Sequence, residues 1–125
     1  MSSEKKIVDA DSGGVKGSKL ARFDMIPADV MWELAEHYGK GEMKYESDAD
    51  GTPNWQRGYN WRLSIAALER HLNLWKQGED IAPDEHTDEG ELIEGSSHLT
   101  AVMWHAIALR WFQLNNKGRD FRGTK

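Results

Sequence analysis

The sequence predicts an all-α protein: a small bundle of three main helices joined by long loops, completed by self-association. Three observations carry this. Apolar residues recur at helical spacing in three separate stretches; no run alternates like a strand and no segment repeats; and Gly, Pro, Asp and Asn collect between the stretches. The 125 residues suit one domain with a modest core. Only 38% of residues are hydrophobic and 30% are charged, so the core must lean on large side chains, which the six tryptophans supply. Three helices of this kind leave apolar surface that further copies would cover, so a homo-oligomer is expected.

Residues 1–20 are rich in Ser, Gly, Lys and Asp without periodicity and read as a flexible N-terminal arm. A helical domain is expected over 21–116. Its first helix starts at Pro27, which has no N–H to lose in a first turn, and aligns Val30, Leu34 and Tyr38 on one face. Glu33 and Glu36 lie on the opposite side, three residues apart, close enough on a helix to share a divalent ion. Gly39 and Gly41 predict an end, kink or restart there.

Residues 46–61 read as a loop. Its Asp-Ala-Asp-Gly segment lacks the twelfth-position glutamate of a calcium loop, which excludes that reading. Trp55 and Trp61 in this loop fit either a core plug or a stacking wall for a base.

The central helix runs from about Arg62 to Gln77, with Ile65, Leu68, Leu72 and Trp75 on its apolar face and Arg70 and His71 at the edge. Gly78 stops it, and Glu79 and Asp80 follow at once. Residues 79–94 hold eight carboxylates and no Lys or Arg, leaving 13 acids against 16 bases elsewhere in a chain of net charge -5. Such a run is either a solvated loop or a partial metal site.

The last helix is capped by Ser96 or Ser97 and reaches about Asn116, apolar on much of its circumference. His98 falls in its first turn, where free N–H groups favour anions. His105 shares the face but lies roughly 10 Å further along, so the two histidines have separate roles. Residues 117–125 form a basic tail expected to fray, with Arg119 and Arg122 able to reach a phosphate.

No cysteine is present, no window approaches the roughly 18 apolar residues of a membrane span, and the N-terminus has no signal-type apolar region. These features predict a cytoplasmic protein away from membranes. A mildly basic body without a concentrated basic face excludes duplex nucleic acid as a partner.

The ordered motifs resemble a phage and prokaryotic family, the N-terminal-type domain of dATP/dGTP diphosphohydrolases. Matching residues are Arg22-Phe23-Asp24-Met25-Ile26-Pro27; Gly41, Lys44 and Tyr45; Asn54, Trp55 and Gly58; Ala66, Ala67, Arg70, His71, Leu72, Trp75, Gly78, Glu79 and Asp80; and His98 with Leu99. The chain departs from the pattern at Ala101 and His105, where the family carries His and Asn, and in its longer loops. The resemblance implies an all-α fold, related in logic to MazG-type pyrophosphatases but without their full Glu-Glu-x-x-Glu motif. It implies hydrolysis of dGTP or dATP to monophosphate and pyrophosphate with Mg²⁺ or Mn²⁺, in host cytoplasm if phage-encoded. It further implies Glu79, His71 and His98 as catalytic groups; Lys44, Tyr45, Asn54, Trp55, Arg70 and His105 as contacts to a purine (deoxy)nucleotide; and Glu33, Glu36, Glu79 and Asp80 as metal ligands. A non-catalytic protein that sequesters a nucleotide or a host nucleotide signal is the alternative, and a helical module acting on a partner protein is the third.

Overall fold

The computed structural model describes residues 4–123. It is mostly helical, with α1 over Ala28–Lys44, α2 over Trp61–Lys76 and α3 over His98–Asn115. Two small antiparallel strand pairs accompany them, which the sequence reading lacked: β1 (Glu4–Val8) with β2 (Val15–Lys19), and β3 (Glu85–His86) with β4 (Leu92–Ile93). No described helix is long and apolar enough to cross a membrane.

The first pair corrects the expectation of an aperiodic arm. Val8 pairs with Val15 and Ile7 with Lys16 across a turn in which Asp9 Oδ1 accepts from the Asp11 and Ser12 amides. Two strands of five residues are too short to show alternation against a polar background, and local turn chemistry sets them.

α1 runs unbroken through Gly39 and Gly41, contrary to the expected kink. Each glycine costs a helix about 1 kcal/mol. Leu34 is buried and His37 and Tyr38 pack on Trp104 of α3 just before that point, while Lys40 and Lys44 reach Ser96 and Glu85 around and beyond it. α2 is capped by Asn60, whose side chain accepts from the Arg62 amide, and Gly78 stops it at φ +100. Ser97 caps α3 by accepting from the Leu99 and Thr100 amides, and Asn116 closes it in the left-handed region at φ 53.

α2 and α3 pack antiparallel, and α1 lies on another side of α3. The core sits between α2 and the second half of α3: Trp61, Ala108 and Phe112 are buried, with Trp55, Tyr59, Trp104, Leu109, Trp111 and Phe121 packed round them. The basic tail does not fray over its described part. The Trp61 amide donates to Arg119 O at 3.0 Å, the Arg119 amide to Tyr59 O at 3.1 Å, and Trp61 Nε1 to Lys117 O at 2.9 Å. Gly58 (φ +88) and Gly118 (φ +72) face each other where the two segments meet, and a Cβ on Gly118 would collide with Tyr59 O.

Candidate active site

The acidic linker is not a loose solvated loop. After Gly78 it runs beside the start of α3: His98 N donates to Asp80 O at 2.9 Å, Ala82 N donates to Ser96 O at 2.9 Å, and Ile81 bridges Ser97. Ile93, returning on β4, is buried and pins the segment down. Gly95 lies so close to Ala82 that no side chain fits there. Asp84 Oδ1 accepts from Gly95 N, and Lys44 Nζ reaches Glu85 Oε2 at 2.9 Å, so part of the acidic run is spent on the fold.

This course places Glu79 against α3. His98 is fully buried; its Nε2 lies 2.8 Å from Glu79 Oε1 and its Nδ1 lies 2.8 Å from His71 Nδ1. In the arrangement with one proton on each ring, Glu79 accepts from His98 Nε2–H and His98 Nδ1 accepts from His71 Nδ1–H. That leaves a lone pair on His71 Nε2. Burial, reinforced by the Arg70 charge, pushes the His71 pKa down to about 4, so the ring is neutral near pH 7.

His105 lies beside this chain, its ring stacked near His71 at a centroid distance of 6.3 Å. Its Nδ1 is 3.0 Å from Ser64 Oγ, which is fully buried and bonded to Tyr59 OH at 2.6 Å. Burial, and then the His71 charge, lowers the His105 pKa to about 4 as well. From α1, His37 Nδ1 meets Ser96 Oγ at 2.8 Å and Lys40 Nζ donates to the same oxygen at 3.1 Å. Burial lowers the His37 pKa, and Lys40 and Lys44 add to it. The sequence reading gave His37, Lys40 and Ser64 no part in a site and took Ser96 only as a candidate helix cap; the spacing of His37 to Lys40 and Lys44 along one helix flank was the available signal.

The structure therefore brings Glu79, His71, His98 and His105 together, with Arg70 exposed at the edge. Asp80 contributes its carbonyl to α3, and Lys44 is paired with Glu85. Tyr45 is exposed at the end of α1. Asn54 and Trp55 stand on a 3-10 turn on the aromatic side; the Trp55 ring meets Tyr38, Trp104, Trp111 and Phe112 at centroid distances of 5.1–6.2 Å. Of its two sequence readings, core plug is the one these contacts serve. Trp61 is likewise in the core.

Glu33 and Glu36 are exposed on α1. Among the described residues no three His, Asp or Glu side chains gather as a metal cage, so the expected ligand set does not assemble as one. The donors present fit proton handling: a carboxylate orients one imidazole, which orients the next.

Fold and site together define a small helical domain that carries a carboxylate–histidine–histidine hydrogen-bond chain. The chain belongs to the family described as dATP/dGTP diphosphohydrolase, N-terminal, which matches residues 10–122. No curated protein and no solved structure matches it.

Proposed function

We propose that this protein is a (d)NTP diphosphohydrolase that splits dGTP or dATP between the α and β phosphorus. The observation that supports it most is the Glu79–His98–His71 relay in a member of that family. In this reading His71 Nε2 takes a proton from water as the water oxygen attacks the α phosphorus. The α–β bridging bond breaks and pyrophosphate leaves. The resulting imidazolium is oriented through His98 by Glu79. A ring of pKa about 4 is a weak base alone, but a triphosphate beside it favours the protonated form and raises that value.

Arg70 and Lys44 are assigned to the phosphates, with Lys40 at the same flank. His105, Tyr45 and Asn54 are the remaining nucleotide contacts proposed, and Trp55, packed among four rings, is left to the core. Mg²⁺ or Mn²⁺ would come with the triphosphate and neutralise its charge; among the described residues Glu33, Glu36, Glu79 and Asp80 do not gather into a cage that would hold it beforehand. A phage setting, a host-cytoplasmic location and a homo-oligomer complete the proposal.

The test incubates the protein with dGTP or dATP and Mn²⁺, separating products by ion exchange. Monophosphate with pyrophosphate is expected. Chelation of the metal is expected to stop the reaction, and Glu79→Gln to slow it by roughly a hundredfold or more. Unchanged turnover in Glu79→Gln would remove the relay from the mechanism.

A second reading, a non-catalytic nucleotide or nucleotide-signal binder, is favoured by one observation. Ala101, where the family pattern has a histidine, is buried one turn from His98 with no polar group to offer. Reversible binding with the nucleotide recovered intact would establish it.

A further inference from the structure

Three imidazoles of the site are held in the same way. His37, His71 and His105 each engage Nδ1 with a neighbour: Ser96 Oγ at 2.8 Å, His98 Nδ1 at 2.8 Å and Ser64 Oγ at 3.0 Å. None of the three has a partner for Nε2 among the described residues. Every buried polar side-chain atom described has one, so all three Nε2 atoms reach solvent. The rings follow one another in a row. His71 lies 6.3 Å from His105, His105 lies 4.9 Å from Trp104, and Trp104 lies 6.4 Å from His37, all between ring centroids. The lone pair of His71 Nε2 already serves as the base; His37, at the α1 end of the row, has no role so far.

The surroundings of His37 are cationic. Lys40 and Lys44 follow it on one flank of α1, and after burial their charges hold its pKa below the ordinary 6.5. Lys44 is paired with Glu85, whereas Lys40, half-buried, donates to Ser96 Oγ at 3.1 Å and meets no carboxylate among the described residues. A partly desolvated ammonium beside an uncharged imidazole is stabilised by an anion. Nε2 can meet that anion as a donor from either tautomer. Where Ser96 passes its proton to His37 Nδ1, the ring proton already sits on Nε2. Where Nδ1 donates instead, the anion draws a second proton to Nε2, and an imidazolium donates from both nitrogens. Ser96 and the edge of Trp104, at 70° to the imidazole plane, fix where Nε2 points.

We propose that His37 and Lys40 bind the pyrophosphate half of the nucleotide, His37 donating from Nε2 to an oxygen of the β or γ phosphate while Ser96 positions the ring. The inference rests on the diphosphohydrolase reading and extends it to the leaving group. In-line displacement sets the attacking and leaving oxygens on opposite sides of the phosphorus. With the water at His71 on α2, the α1 end of the row is the side left to pyrophosphate, which carries most of the triphosphate charge. The bond changes stay as described: the α–β bridging bond breaks and its electron pair leaves on pyrophosphate, toward Lys40 and His37.

The test titrates the full chain with inorganic pyrophosphate by calorimetry, without nucleotide or metal, and follows dGTP hydrolysis with Mn²⁺ separately. The wild type is expected to bind pyrophosphate more tightly than orthophosphate. His37→Asn keeps an amide near the Nδ1 position for Ser96 and loses the Nε2 donor, so pyrophosphate binding should weaken roughly tenfold or more, as for a lost hydrogen bond to a charged group. His37→Gln, whose amide reaches the Nε2 position, should recover most of that loss, which a merely structural histidine would not allow. Should His37→Asn fail to fold, Lys40→Met decides: it is expected to weaken pyrophosphate binding by a similar factor, and unchanged binding would overturn the proposal. So would a wild type that does not bind pyrophosphate, a folded His37→Asn that binds it undiminished, or equal losses in His37→Asn and His37→Gln. The two readings fail separately. Pyrophosphate held through His37 without dGTP hydrolysis would keep the subsite and remove the catalysis; hydrolysis with pyrophosphate binding unchanged in His37→Asn would do the reverse.

Discussion

The two ends of the α2–α3 pair use the same helices for opposite purposes. At the Trp61 end, Tyr59, Trp61, Phe112 and Phe121 meet in an apolar cluster, and the chain's last described segment is sewn to the start of α2 by main-chain hydrogen bonds. At the His71 end, the contacts are polar: an imidazole on an imidazole, a carboxylate behind them, and Ser96 shared between His37 and Lys40. Burial stabilises the first end. At the second, burial is tolerated because every buried polar side-chain atom described has a partner. Apolar packing and the histidine–carboxylate groups are thus separated along one helix pair, some seven residues apart on α3.

That separation can be broken most severely at the apolar end. Phe112→Ala removes a fully buried ring and should cost about 3–5 kcal/mol, seen as a fall of roughly 10–20 °C in a circular-dichroism melt. At the polar end, His98→Asn should reverse the pattern, lowering turnover of dGTP by roughly a hundredfold or more while moving the melt far less than Phe112→Ala. Equal effects of the two substitutions on stability would mean that the ends are not separate. Gly118→Ala, at φ +72 against Tyr59 O, should cost about 1–3 kcal/mol through strain at a left-handed position, with turnover of the folded fraction preserved.

A further effect is expected with pH. His71 and His105 have folded pKa values of about 4, below the ordinary 6.5, so the unfolded chain binds protons first as pH falls. Their contribution is fully present above pH 6.5 and is lost between there and about pH 4. The melting temperature should fall across that window. Replacing His105 with Gln should flatten the fall, and an unaltered slope would exclude it as a source.

The helices were legible because their signals are local. Asn60 to Gly78 and Ser97 to Asn116 carry caps, period and stop within their own residues. The grouping of Arg70, His71, Glu79 and His98 was legible as motif order, and His71 with His98 does form a contact. What escaped the sequence is non-local. Nothing near Arg119 announces a bond to residues 59–61, and nothing near Glu85 announces Lys44. The eight-carboxylate run suggested solvent or metal, whereas Ile93 and backbone pairing to Ser96–His98 fold it. Trp55 fitted two roles in sequence, and only the four rings round it favour one.

The stitch between Tyr59–Trp61 and Lys117–Arg119 joins residues almost half the chain apart. A nascent chain can wind α1 and α2 as they emerge, yet Trp61 has nothing to donate to until Lys117 has been made. Synthesis adds about 5–20 residues per second, so for a few seconds the indole stands uncovered. The order of manufacture thus makes the aromatic end the last to close and the first place where a stalled or shortened chain would stick to its neighbours.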